Sequence, residues 1–198
     1  TLKLDNLSGD IVNLTNDPAR LVKKNHAYAD LTTYIFGKGK MNVKIDFNLT
    51  DKDAAFSYVG NIGNFDMKVL NPLSKSLGLV AIEQGKVQKA NFNINANLKR
   101  SSGQVVFYYT GLKVDLLKED DQGVKKKKGF LSFLANNILI KNDNPTKGEP
   151  LRIANITYER VPQASFFNLM WKSVFVGIRE TVGIGGVPMK PMDKPKGK

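Results

Sequence analysis

The segment KANFNINANLKR, residues 89–100, alternates apolar and polar side chains from Lys89 to Lys99. Because successive side chains of a strand point to opposite faces of a sheet, the segment predicts a strand with one apolar face and one wet face. The alternate positions that point to the wet face hold four asparagines between two lysines. A chain with such a strand has to place something against the apolar parity, either its own core or a ligand. That parity comprises Ala90, Phe92, Ile94, Ala96 and Leu98.

The same period of two recurs along most of the chain. It is clearest in MNVKIDFNLTD at residues 41–51 and in AYADLTTYIFG at residues 27–37. The short, turn-like segments GKG at residues 37–39 and RSSG at residues 100–103 predict hairpins between consecutive strands. Further strands are predicted at residues 2–7, 10–15, 54–65, 104–117 and 151–161.

The predicted strands are long. At about 3.3 Å per residue, strands of about 11–14 residues reach roughly 36–46 Å, above the usual strand length. They predict a mainly β fold, a long curved antiparallel sheet that forms an open groove or a partial barrel. The few predicted helices leave two arrangements open. Either the apolar face contacts lipid, or the sheet closes over its own core with the C-terminal helix packed inside.

Three segments break the alternation. A short helix is predicted near residues 70–78, with Asn71 as N-cap, Pro72 at the first helical position and Gly78 after the end. A second short helix is predicted near residues 129–138, and a longer amphipathic helix over residues 162–184, ended by Gly183. The predicted organisation is a sheet module over residues 1–161 that includes the two short helices, the C-terminal helix over 162–184, and a flexible basic tail over 185–198.

The C-terminal helix has a wide apolar arc when its residues are placed at about 100° intervals. A helix with such an arc needs cover from its own sheet, a protein partner or a bilayer surface. Its predicted polar side gathers Asn168, Lys172, Ser173, Arg179 and Glu180. The residues predicted to contact a membrane or a partner are Phe166, Phe167, Met170, Trp171, Val174, Phe175 and Ile178.

Residues that enzymes and metal sites use are scarce. The chain has no cysteine and a single histidine, His26, with no catalytic partner pattern beside it. Motifs for zinc, calcium or phosphate binding are missing from the sequence. The sequence therefore predicts a non-enzymatic protein with no catalytic residues, no metal site and no cofactor.

The chain is strongly basic, with 30 lysines and arginines against 18 acidic residues and a net charge of +12. Such an excess favours polyanionic partners. Nucleic acid is not the predicted partner, because the polar strand faces lack the interleaved aromatic and basic side chains on which bases stack. Two interpretations stay open for the predicted loop of Lys125, Lys126, Lys127 and Lys128: solvated lysines that keep the protein soluble, or a basic patch that contacts an anionic membrane surface.

Several segments, taken in order, resemble a known family. They are LGLVAIEQGKVQ (77–88), an alternating strand, SGQVVFYYTGLKVDLL (102–117), a lysine-rich loop, FLANNILIKNDNP (133–145) and ITYERVPQASFFNLMWKSVFVGIRETVGI (156–184). Residues 65–184 thereby resemble the C-terminal portion of AsmA-like proteins in the form found in Bacteroidetes, a family similar to TamB and the bridge-like lipid-transfer proteins. The resemblance implies a bacterial periplasmic protein, anchored to the inner membrane by a segment upstream of this chain. It also implies a curved β-trench that moves phospholipid or maintains the outer membrane, with no catalytic residues.

On this interpretation, the apolar parities of the sheet bind phospholipid or another acyl-chain lipid. Tyr108 is assigned to the apolar face in preference to Phe107 and Tyr109. The alternative function is a non-enzymatic structural or adaptor domain whose apolar C-terminal helix binds an inner- or outer-membrane protein or a membrane surface. The predicted groove-lining residues are Met41, Val43, Ile45, Phe47, Leu49, Phe92, Ile94, Ala96, Leu98, Tyr108, Leu112 and Val114.

Overall fold

The computed structural model describes residues 2–77, 80–119, 125–128 and 140–186. Within these residues the chain forms nine strands and three α-helices. The helices are α1 (Pro18–Lys23), α2 (Asn71–Ser76, directly after a 3-10 turn at Met67–Leu70) and α3 (Phe166–Thr181). The strands are β1 (Leu4–Val12), β2 (His26–Ile35), β3 (Gly39–Asn48), β4 (Phe56–Ile62), β5 (Phe65–Asp66), β6 (Val80–Ala96), β7 (Arg100–Glu119), β8 (Lys125–Lys128) and β9 (Ile153–Glu159).

All strands belong to one antiparallel sheet in the order β1-β2-β3-β4-β6-β7-β8. The two-residue strand β5 extends β4 along β6, and β9 pairs with the opposite end of β7 from β8. The sheet is open, so the predicted mainly β fold with long hairpin-joined strands is confirmed. β6 has 17 residues and β7 has 20, longer than the sequence predicted.

One face of this sheet carries the hydrophobic core. The side chains of Tyr58, Ile94, Val105 and Phe107 on β4, β6 and β7 are almost completely buried. Helix α3 packs across β7 and β9 on that face. The opposite face is wet, as predicted, and carries amide hydrogen bonds between neighbouring strands, such as Gln104 to Asn155 at 3.0 Å.

Several boundaries differ from the sequence predictions. The β6–β7 turn lies at residues 97–99, before the predicted RSSG turn, because the Asn97 carboxamide oxygen accepts from the backbone N–H groups of Lys99 and Arg100. In place of the two strands predicted at residues 2–7 and 10–15 there is the single strand β1 (Leu4–Val12), whose register with β2 is irregular. Helix α1 was not predicted, although Asp17 accepts from the Ala19 N–H as its N-cap and Pro18 follows.

The short helix near residue 70 is confirmed, but Asn71 does not cap it. The Asn71 carboxamide instead accepts from the Ile82 N–H and donates to the Ile82 carbonyl, both at 2.8 Å, which ties α2 to β6. Gly183 follows α3 with a φ of 84°, in agreement with its predicted role. The predicted helix at 129–138, Gly78 and the tail from residue 187 lie outside the described residues.

Candidate functional site: the apolar face and the helix that covers it

Most predicted groove-lining residues lie on one face of the sheet. Six of them are buried in the core: Val43, Ile45, Phe92, Ile94, Ala96 and Leu112. Toward the β1 edge the cover is thinner, and Met41 and Phe47 are only half-buried there. The face predicted to contact lipid is therefore occupied over β4, β6 and β7 by side chains of the same chain.

Leu98 and Leu49 lie beyond the ends of their strands. Leu98 was assigned to the apolar face as a continuation of β6, but the strand ends at Ala96, and Leu98 lies in the following turn with 51 % of its surface exposed. This assignment is wrong because the Asn97 turn reverses the chain before Leu98. Leu49 lies just beyond β3 and is half-buried.

The assignment of Tyr108 to the apolar face is also wrong. Phe107 and Tyr109 point into the core, whereas Tyr108 lies on the wet face with the Lys89 ammonium 4.7 Å from its ring centroid. A bulge explains the error. Between Thr110 and Lys113, strand β7 has one residue more than the stretch of β6 that pairs with it, and Gly111 has a left-handed φ of 64°. The parity changes there, so that Leu112 is again buried.

Helix α3 contacts the sheet through the small residues Ser173 and Gly177, which were not predicted to face it. The hydroxyls of Ser173 and Ser101 share a hydrogen bond of 2.6 Å inside the core. A Cβ added at Gly177 would lie 2.4 Å from Cβ of Val105, so only glycine permits this approach. A sequence signal did exist, because Leu169, Ser173 and Gly177 are spaced by four and lie on one side of a helix.

The large apolar residues of α3 flank this contact line. Phe166 packs against Phe47 and Phe56, with ring centroids 5.5 and 4.6 Å apart. Phe167 points away and has 63 % of its surface exposed. The other predicted helix residues are half-buried against the core, namely Met170, Trp171, Val174, Phe175 and Ile178.

Three residues of the predicted polar side of α3 are buried instead: Lys172, Ser173 and Arg179. The Arg179 guanidinium donates to the carbonyls of Ile184 and Gly185 beyond the helix end, at 3.0 and 3.4 Å. The Lys172 ammonium lies 4.6 Å from the Trp171 ring centroid. Burial lowers the pKa of both groups, and the charge of Arg179 lowers the pKa of Lys172 further. The predicted polar side was wrong because the placement of residues around the helix axis shows which side is polar but not which side faces the sheet.

An apolar cavity of about 50 Å³ lies where four elements meet. They are α2, the N-terminal part of β6, the C-terminal half of β7 and the C-terminal half of α3. Four of the predicted site residues, Leu112, Val114, Phe175 and Ile178, come together in its lining. Ser74 and Arg179 are the polar residues of the lining. The other lining residues are apolar: Met67, Leu70, Leu73, Val80, Ile82, Ile140, Val182 and Ile184.

Arg152 fixes the chain between β7 and β9 beside this region. Its guanidinium donates to the Thr181 carbonyl at the end of α3 (3.1 Å), to the Thr146 hydroxyl (2.9 Å) and to the Asp143 carbonyl. The Tyr109 hydroxyl donates to the Lys141 carbonyl at 2.9 Å. These bonds hold the loop over residues 141–152 against both the sheet and the end of α3.

The predicted basic patch lies on a strand rather than in a loop. Lys125–Lys128 form β8 and pair with Leu116–Glu119 of β7. This strand was not predicted, because four identical side chains carry no period of two.

His26 lies on the wet face at the start of β2. Its Nδ1 lies 2.5 Å from a carboxylate oxygen of Asp46 on the neighbouring strand β3, and its ring stacks on that of Tyr28. In the described parts of the chain, no group of three or more histidine, cysteine or acidic side chains has an arrangement suited to a metal ion.

Comparisons with known proteins place the chain in no group. No protein-family model, curated protein or solved structure matches it. Within the described residues, none of the helices has the length and apolar character needed to cross a membrane.

Proposed function

We propose that this chain is a non-catalytic lipid-binding module of a bacterial cell envelope, acting on the periplasmic side in outer-membrane lipid homeostasis. The observation that carries the proposal is the apolar cavity between α2, β6, β7 and α3. Its lining is almost wholly apolar, as in sites for acyl chains, with the Arg179 side chain as the cationic group.

The cavity, rather than the strand face alone, is the proposed acyl site. α3 already fills the face over Ile94 and Val105 with its own side chains. At about 50 Å³ the cavity takes only the end of an acyl chain. The remainder of the lipid then extends out between α2 and α3. The resemblance to AsmA-like proteins supports the same ligand class.

Filling the cavity tests the proposal. Val114→Phe places a larger apolar side chain in the lining, and we expect it to abolish lipid recovery in mass spectrometry of the purified protein and to weaken uptake of a fluorescent phospholipid. The matched control is Val106→Phe, a half-buried valine of the same strand on the opposite face. We expect it to leave both readouts unchanged. Equal lipid binding by the two variants, or a wild-type protein that takes up no lipid, would refute the acyl site.

A second candidate is an adaptor that binds a protein partner through α3. The half-buried strip of Met170, Trp171 and Val174 on the outer flank of the helix favours it. A lipid-free wild-type protein whose complex with an envelope protein is lost in Trp171→Ser would support the adaptor in place of the lipid module.

A further inference from the structure

One end of the sheet gathers four chain segments into a continuous surface. They are residues 13–25, which include α1, and residues 49–55, 97–100 and 160–167, and together they are called the loop end here. Backbone hydrogen bonds join them in a row. The Leu49 N–H donates to the Asn25 carbonyl, the Leu98 N–H to Asp53, and the Arg160 N–H to Lys99, at 2.8, 2.9 and 2.8 Å.

The loop end exposes large apolar side chains from three of its four segments. Val22 on α1 has 87 % of its surface exposed, and Phe167 at the start of α3 has 63 %. Single exposed apolar residues are common on proteins, but a group on adjacent loops marks an interaction surface. The group comprises Leu14, Val22, Leu98, Val161 and Phe167.

The same loops are basic. They contain seven lysines and arginines and three aspartates. The aspartates are engaged locally, since Asp17 caps α1, Asp51 accepts from the Asp53 and Ala55 N–H groups, and Asp53 pairs with Lys99 at 3.2 Å. The cations are Arg20, Lys23, Lys24, Lys52, Lys99, Arg100 and Arg160.

From this arrangement we infer that the loop end docks on an anionic phospholipid bilayer, with the apolar loop tips in the interfacial layer and the basic side chains against the head groups. Charge complementarity favours this occupant, because a basic surface is drawn to anionic lipid while exposed apolar tips gain by leaving water. A protein partner is the weaker fit. Protein interfaces concentrate their binding energy in a central packed cluster, whereas these apolar residues lie on three separate segments of the chain and most have a basic neighbour in the sequence.

This surface is independent of the acyl cavity. The cavity lies toward the C-terminal end of α3, whereas Phe167 lies in the first turn of that helix. Docking would present the module to a membrane whether or not it holds a lipid.

Vesicle flotation tests the inference with the full chain. Wild-type protein is expected to float with vesicles of equal parts phosphatidylglycerol and phosphatidylcholine, to float less as salt rises, and to stay unbound with phosphatidylcholine alone. The double variant Val22→Ser/Phe167→Ser is expected to lower the partition coefficient about tenfold or more, because two exposed apolar groups are lost. Both residues are exposed, so circular dichroism is expected to show an unchanged fold.

The matched control removes two exposed apolar residues from the wet face of the sheet, Val59→Ser/Ile153→Ser. Its partition coefficient is expected to equal that of the wild type. The inference is overturned if the wild type binds neither vesicle, in which case a protein partner is the remaining occupant. It is overturned equally if the control loses as much binding as the loop-end variant. Val114→Phe leaves the loop end intact and is expected to float normally, which separates this test from that of the acyl cavity.

Discussion

The covered apolar face and the loop end use the same residue types to opposite effect. On the face, Ile94 is fully buried, because α3 and the neighbouring strands close over it. At the loop end, Leu98 has the same parity only four residues later and is half exposed. The difference arises from what lies opposite each residue, a helix in one case and solvent in the other. Apolar character therefore marks a surface to be covered, and the fold decides whether the chain itself covers it.

The largest expected effect comes from placing the same substitution in both regions. Ile94→Asn puts an unpaired amide into the core and is expected to lower the free energy of unfolding by about 3 kcal/mol or more. Leu98→Asn, in an exposed turn, is expected to change it by less than about 0.5 kcal/mol. Urea unfolding measures both values. Similar values for the two variants would mean that the two regions do not differ in cover.

A smaller effect on the free energy of unfolding is expected from displacing α3 from the apolar face that it covers. Gly177→Leu brings a side chain against Val105 and is expected to cost about 1–3 kcal/mol of unfolding free energy, with increased binding of a hydrophobic dye as α3 moves off the sheet. Val105→Ala in the same protein is expected to recover part of the loss. The control is Gly186→Leu, because a Cβ added there meets no described residue within 4 Å apart from its chain neighbours. A Gly177→Leu protein as stable as the wild type would contradict the close contact.

The smallest effect is expected at alkaline pH. Burial raises the pKa of Tyr58 and Tyr109 on the covered face above the ordinary value of 10.0. The folded state holds these protons more tightly than the unfolded state. Their contribution to stability is therefore complete below pH 10.0 and is lost as the pH rises toward the folded pKa values.

Tyrosinate absorbance measures this difference directly. We expect the Tyr58 and Tyr109 phenols to ionise above the ordinary tyrosine pKa, and the urea midpoint to fall above about pH 10. In Tyr58→Phe the fall is expected to be shallower. Simultaneous ionisation of all six tyrosines in the folded protein would contradict the burial of the two phenols.

Much of the sheet followed from local pattern, and the errors share a physical origin. In β3 and β6 the alternation alone shows which face each side chain points to, whatever strands lie beside it. Val43, Phe92 and Ile94 therefore lie on the apolar face, as predicted. The alternation fails where one residue shifts the register, as at Gly111, or where a side chain closes a turn early, as at Asn97. α1 is too short to show a helical period, and β8 consists of lysines only.

The candidate site was less predictable than the fold. Leu112, Val114, Phe175 and Ile178 were all singled out, but nothing in their spacing shows that they meet around one cavity. The small-residue contact of α3 was missed because large apolar residues dominate a helical wheel. The loop end was missed because its residues are far apart in sequence and belong to loops with no period.

The sequence by itself determined a long antiparallel sheet with one apolar and one wet face, because the side-chain period of a strand is a local property. The presence of the C-terminal helix also followed, since the apolar run and Gly183 are local signals of its body and end. Its start did not, because the helix begins at Phe166, four residues after the predicted start. Only the tertiary structure decided which side of α3 faces the sheet, where the cavity lies and which loops share one end. Those features depend on contacts between segments that are distant in the chain. The side of α3 that faces the sheet, for example, is set by the close approach of Gly177 to Val105 and not by the centre of the apolar arc.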